Sequence, residues 1–308
     1  MGKFMNRTEW LRASWPGLLL PGVLVGLLGL GGVLAFTAVP PVHRTFPLQS
    51  ASPLLVSTVS AADLRDLAVA EQDLISGCMR ARGFRYWPQV QGSSRYMQPL
   101  FAMPPSVAAA RKHGFGPAAP ADPNDAYVNA LGRSRQSGYA VALSGSMDSG
   151  PQVTVAIPQG GVMGHSAEGC EAMAENRLYG SFHKWYAAST LVGEVHAILQ
   201  SEVADSRLMT AAVNRWRSCV AARGYHWADL AQPEFAPDLG ANPSQAAVAD
   251  AICAAATHIS SVAYSVAGPY AEKLDAEYRK ELDAYQVMQQ GAMPLAREVQ
   301  REFHANAN

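Results

Sequence analysis

One segment of this chain occurs twice. Cys78-Met-Arg-Ala-Arg-Gly-Phe-Arg-Tyr86 is matched by Cys219-Val-Ala-Ala-Arg-Gly-Tyr-His-Trp227 in the second half of the sequence, and such a self-match marks an internal duplication. No other feature constrains the fold as much. Each copy follows an amphipathic stretch, and each is followed by a second cysteine inside a further helical stretch, Ala167-Glu-Gly-Cys170 and Asp250-Ala-Ile-Cys253. Two duplicated helix pairs, each stapled by its own disulfide, account for the pattern. The motif itself reads as a helix ending. Gly83 or Gly224 takes the left-handed conformation after the last turn, Phe84 or Tyr225 packs back on Met79 or Val220, and Arg82 or Arg223 lies beside the negative helix end. The aromatic residues offer a second use as a stacking platform, so Phe84, Tyr86, Trp87, Tyr225 and Trp227 are the candidate binding residues.

The four cysteines are even in number and show no Cys-x-x-Cys spacing, which argues for two structural disulfides over a zinc ribbon or a redox pair. Three connectivities are open. The duplication favours Cys78 with Cys170 and Cys219 with Cys253, and cross pairing stays open.

All four follow an apolar run. From Trp15 to Pro41 there is no ionisable side chain, and residues 17–39 supply the roughly 20 helical residues that a hydrocarbon core about 30 Å thick requires. That exceeds a typical cleavable signal core and favours a retained anchor, with Val33-x-Ala35 as the alternative, a signal cleavage site. Lys3, Arg7 and Arg12 precede the run and only Arg44 follows closely, so the positive-inside rule keeps the N-terminus cytoplasmic and exports the rest, where disulfides persist. The expected organisation is a cytoplasmic tail (1–16), a transmembrane anchor or uncleaved signal (17–39), a proline-containing linker (40–59), a first helical repeat with an irregular insert and a hairpin (60–204), and a second helical repeat ending in a long helix (205–308). The fold class is mainly α.

Within the exported part, Ser60 and Asp63 predict a helix start, and Leu64, Leu67, Leu74, Ile75 and Cys78 carry the helix over 61–82. Short helical pieces are expected at 105–112 and 125–131. Tyr139–Leu143 and Gln152–Ile157 are strand candidates that pair as one hairpin. Ser166 is expected to cap a helix running through Cys170 to Tyr179, followed by a helix over 182–204 and one capped by Asp205 or Ser206 that ends at Gly224. Ser244 is expected to cap a helix over 245–266, and a last helix follows Gly268-Pro269 over 270–302.

No catalytic residue emerges. Gly164-His-Ser-Ala-Glu168 lacks the final glycine of a nucleophile elbow, and Ser166 with Glu168 reads as a helix N-terminus. The histidines, among them His113, His183, His196, His226 and His258, form no compact metal pattern, and Glu202 with Asp205 reads as a solvated helix face. No phosphate-binding loop or dinucleotide fingerprint is present, so no metal and no cofactor is assigned. A formal net charge of -1 gives no attraction for nucleic acid.

The two Cys-x-x-x-Arg-Gly-aromatic motifs, with Gly169-Cys170-Glu-Ala-Met-Ala-Glu-Asn-Arg-Leu-Tyr-Gly180 between them, resemble a group of uncharacterised exported or membrane-anchored proteins of high-GC actinobacteria. The likeness is loose and spans about 60–260. Five lysines against 19 arginines, with abundant alanine, suit a GC-rich genome. The resemblance implies a cysteine-stapled helical exterior domain and no active site. The expected function is therefore a non-enzymatic, membrane-anchored cell-envelope protein that binds a protein, peptide or wall component, with an accessory role beside a membrane transporter fitting the topology. The alternative is a secreted hydrolase assembled from dispersed residues, for which His165, Ser166 and Glu168 are the members available. Self-association through the last helix is a third reading.

Overall fold

Among the described residues, serine and aspartate side chains cap the starts of five helices. The computed structural model describes residues 59–90, 104–115, 122–230 and 243–307; the expected tail, the 17–39 anchor and most of the linker lie outside them. Helix α1 (Ala61–Ala81) begins where the Ser60 hydroxyl accepts the Asp63 amide at 3.1 Å and donates to its carboxylate at 2.7 Å. Side chains of Ser106 and Asp122 cap the short helices α2 (Val107–His113) and α3 (Pro123–Ala130). Each such cap is worth about 1 kcal/mol. Helix α4 (Arg133–Ser144) leads to strands β1 (Gln152–Ala156) and β2 (Val162–Ser166), then to α5 (Cys170–Tyr179), α6 (Phe182–Asp205), α7 (Arg207–Ala221), α8 (Pro243–Thr257), α9 (Ile259–Glu277) and α10 (Arg279–Ala307).

Four expectations are corrected. Tyr139–Leu143 is helical, because Tyr139 and Ala142 recur at helical spacing and bury together against Ile75, Met79 and Cys170; so short an apolar run does not separate a strand from a buried helix turn. The hairpin exists, but β1 pairs antiparallel with β2, Val153 opposite His165 and Val155 opposite Met163. Its turn uses Gly160 and Gly161, both at positive φ, a conformation that favours glycine. Ser166 caps no helix: it ends β2, and α5 starts at Cys170 after Gly169 at φ 103°. In the C-terminal part, the chain breaks at His258, whose φ is 53°, and at Tyr278, while Pro269 lies inside α9. The break expected at Gly268-Pro269 is therefore absent.

Two larger cores hold these elements. In one, Val195, Leu199 and Val203 of α6 meet Trp216 and Val220 of α7, Cys253 of α8, and Ile259, Ala263 and Ala267 of α9. In the other, Leu64 and Leu67 of α1 pack with Tyr179 of α5, Trp185 of α6, and Ala296 and Val299 of α10. The 24-residue α6, about 36 Å long, thus serves both cores, and α10 returns from the end of the chain to pack on α1. Among the described residues no single helix is long and apolar enough to cross a membrane. The bent pair α8–α9, with 54° between its arms, meets the length and composition requirement, but Cys253, Ile259, Ala263, Ala267 and Ala271 line the first core.

Both disulfides form as expected from the repeated motif, Cys78 with Cys170 and Cys219 with Cys253, each with Cα atoms 5.6 Å apart.

Candidate functional site

The two motifs end their helices alike. The Phe84 amide donates to the Met79 carbonyl at 3.0 Å and the Gly83 amide to that of Arg80 at 3.0 Å; Tyr225 to Val220 and Gly224 to Ala221 repeat this at 3.1 and 3.0 Å. These are the paired bonds of a left-handed helix cap, with Gly83 at φ 81° and Gly224 at φ 88°. The arginines diverge. Arg223 donates to the Cys219 carbonyl of its own last turn at 3.0 Å, whereas Arg82 reaches across to the Ala142 carbonyl of α4 at 3.3 Å.

The candidate aromatic residues do not form one platform. Trp227 is only 4% exposed, stacked between Tyr225 at 4.7 Å and Trp216 at 6.1 Å, inside the α6–α9 core. In the first copy Phe84 and Tyr86 pack against the α1, α4 and α5 core residues, and the exposed ring is that of the residue after the motif. Trp87 is 37% exposed and begins an edge-to-face row of rings that runs through Tyr127 and Tyr139 to Phe84, with centroids 5.7, 6.0 and 5.5 Å apart. Asn124 clasps the Trp87 backbone on both sides, accepting from its amide at 2.9 Å and donating to its carbonyl at 2.8 Å. Arg135 lies 5.6 Å over the Phe84 ring. Tyr86 anchors the strand of chain inward: its hydroxyl donates to Gln72 at 2.9 Å, and its carbonyl accepts from Ser76 at 3.2 Å. Burial raises the Tyr86 pKa and lifts that of Tyr139 to about 12, so both phenols stay neutral. The Tyr139 hydroxyl is buried without a hydrogen-bond partner among the described residues.

A groove of about 330 Å³ opens on another side of the same helix, between α1, α5 and α10. Its walls include Leu74, Gly77, Cys78, Met173, Val299 and Phe303. Arg177 and Glu302 pair at 3.5 Å at its edge, and the Arg80 guanidinium lies 5.8 Å over Phe303. Gly77 sits in the interior of α1, where glycine costs about 1 kcal/mol relative to alanine, yet a Cβ there would meet nothing within 4 Å. Sequence reading misses Tyr127, Asn124, Arg135 and the groove. Gly77 inside a helical pattern is the one legible signal; Phe303 lies at the far end of the chain and gives none.

His165, Ser166 and Glu168 are neighbours without a nucleophile and base in register. Ser166 is fully buried, and its hydroxyl accepts the Glu168 amide at 3.2 Å. A Cβ built on Gly145 would lie 2.3 Å from that oxygen, so the α4 exit crosses directly over it. The His165 Nδ1 lies 2.7 Å from the Ser166 carbonyl and its Nε2 3.7 Å from Glu171; the Glu171 interaction raises its pKa, against the opposing effect of burial. Among the described residues, no three His, Cys, Asp or Glu side chains group as a metal site. Comparison with protein families, curated proteins and solved structures gave no match.

Proposed function

We propose that this chain is a non-enzymatic, membrane-anchored protein of the cell envelope, held by residues 17–39 with its disulfide-stapled helical domain outside, and that it binds a protein, peptide or wall component through the Trp87 face. The observation that carries the reading is Trp87, which follows the repeated motif where the second copy has Ala228: Asn124 holds its backbone on both sides while the residue is 37% exposed. Exposed aromatics whose backbone is fixed lose little conformational entropy on binding. Two closed disulfides suit an oxidising compartment, and the loose resemblance to exported actinobacterial proteins agrees. An accessory role beside a membrane transporter is one form of this reading.

Two measurements test it. Unreduced mass spectrometry of the protein from its native membrane should find an intact N-terminus; a mature terminus after Ala35 would overturn the anchor and leave a secreted protein. A photo-cross-linking residue at Trp87 should trap one envelope species in intact cells, and one at buried Trp227 should trap none. Equal labelling at both positions, or none at Trp87, would overturn the binding face.

A further inference from the structure

The hairpin lies in the longer of the two disulfide loops: Cys78 and Cys170 are 92 residues apart and enclose β1 and β2, whereas Cys219 and Cys253 are 34 apart. It stands out from the helices, with residues 158–164 all exposed, Val162 at 65% and Met163 at 41%. From Ser149 to Gly164 there is no charged side chain.

The register determines which backbone groups are open. Ala167 donates to the Pro151 carbonyl and Ile157 to that of Gly161, and hydrogen-bonded pairs alternate along an antiparallel ladder. Odd-numbered residues therefore bond across the hairpin, and Val162 and Gly164 turn their N–H and C=O groups outward, with no partner among the described residues. Edge strands are ordinarily protected by lysine, proline or a bulge. Pro151 and Pro158 bracket β1 in this way, while β2 has neither proline nor lysine. Lipid would leave its outward groups unpaired; another strand satisfies them. A second β2 related by a two-fold axis fits without selection for sequence, since each edge supplies what the other lacks. It also meets no like charge, because the edge is uncharged from Gly160 to Gly164.

We propose that β2 is a self-association edge that pairs antiparallel with β2 of a second copy of this chain, Val162 opposite Gly164 and the reverse, with Met163 on the two-fold axis. The arrangement makes four intermolecular backbone hydrogen bonds and turns a marginal two-stranded ribbon into a four-stranded sheet. The inference is independent of what the Trp87 face binds.

The axis gives the test. Two Met163 residues would form a non-hydrogen-bonded pair with Cα atoms about 4.5 Å apart, within disulfide reach. In the full-length protein, Met163→Cys should give a covalent dimer under mild oxidation at least about ten times faster than Leu208→Cys, a position on α7 that is 65% exposed. Val162→Lys, which adds a charge at an exposed site and leaves the fold undisturbed, should abolish the cross-link. Equal dimerisation of Leu208→Cys and Met163→Cys, persistence of the Met163→Cys dimer in the Val162→Lys background, or a monomer throughout would overturn the proposal.

Discussion

The two helix endings, at Gly83 and at Gly224, are closely matched, with aromatic-amide bonds of 3.0 and 3.1 Å and glycine φ angles of 81° and 88°; the last aromatic of each copy, Tyr86 or Trp227, turns inward, but on different partners, and the residue after it is Trp87 in one and Ala228 in the other. After Gly224 the aromatics turn inward and Trp227 stacks on Trp216, whose indole donates to the buried Asp250 at 2.9 Å. That bond lies one turn before Cys219 and Cys253, so α7 and α8 are joined by two rungs. At the position of Trp216 the first copy has Ile75, which packs without a polar partner, and Trp87 is left at the surface beside α3 and α4. The difference teaches that the motif determines how a helix ends, while what its last aromatic packs on, and whether an exposed ring follows it, are set outside the motif.

Removing the staples should break the comparison most. In the chain-entropy account, a bridge across 92 residues constrains the unfolded chain more than one across 34, giving about 4–5 kcal/mol for Cys78→Ser with Cys170→Ser and about 3–4 kcal/mol for Cys219→Ser with Cys253→Ser. Denaturant unfolding of the two double variants should show that order; the reverse would mean that the second pair carries strain or packing the entropy account lacks. Next in size is the aromatic contrast. Trp227→Ala should cost about 3–5 kcal/mol as a core truncation, whereas Trp87→Ala should cost under about 1 kcal/mol and lose the partner instead. Comparable destabilisation by both would remove the distinction between core and face.

Asp250 sharpens the second half alone. Burial raises its pKa from 3.8 to about 6, with the Trp216 bond opposing the shift. The folded chain thus holds this proton more tightly than the unfolded one, so the favourable contribution is complete below pH 3.8 and is lost as the pH rises to about 6. Asp250→Asn keeps an acceptor for Trp216 and should raise stability at pH 7 by about 1–3 kcal/mol, while flattening the stability profile between about pH 4 and 6. A variant less stable than the parent at pH 7 would show that the carboxylate has a stabilising partner. The caps should behave as equals: Gly83→Ala and Gly224→Ala each cost about 1 kcal/mol, read by thermal unfolding. Smallest is Gly77→Ala, expected to gain about 0.5–1 kcal/mol because it fills open space; a loss would place an unseen neighbour in the groove.

The residues that are legible in the sequence share a local cause. The Ser60 and Ser206 caps, the Gly83 and Gly224 stops, and the β1 segment each depend on neighbours within a few positions. The disulfide pairs are readable only because the duplication favours one of three connectivities. Local rules fail at Tyr139, whose helix is decided by burial against Met79 and Cys170, and at Ser166, which the crossing of Gly145 over it holds at the end of a strand. In the candidate site, Phe84 is visible as a motif residue and Trp87 as the aromatic that follows the motif. Their partners Tyr127 and Asn124 are not, because nothing in the chain between them signals that they meet.

By itself the sequence determined a mainly helical, twice-stapled domain with matched helix endings, since glycine conformation, capping and helical periodicity act over a few residues. Only the tertiary structure decided that Trp227 is core and Trp87 is surface, that α10 closes a groove on α1, and which edge of the hairpin is open. Those outcomes depend on which apolar faces are removed from water together, and that is settled between segments far apart along the chain.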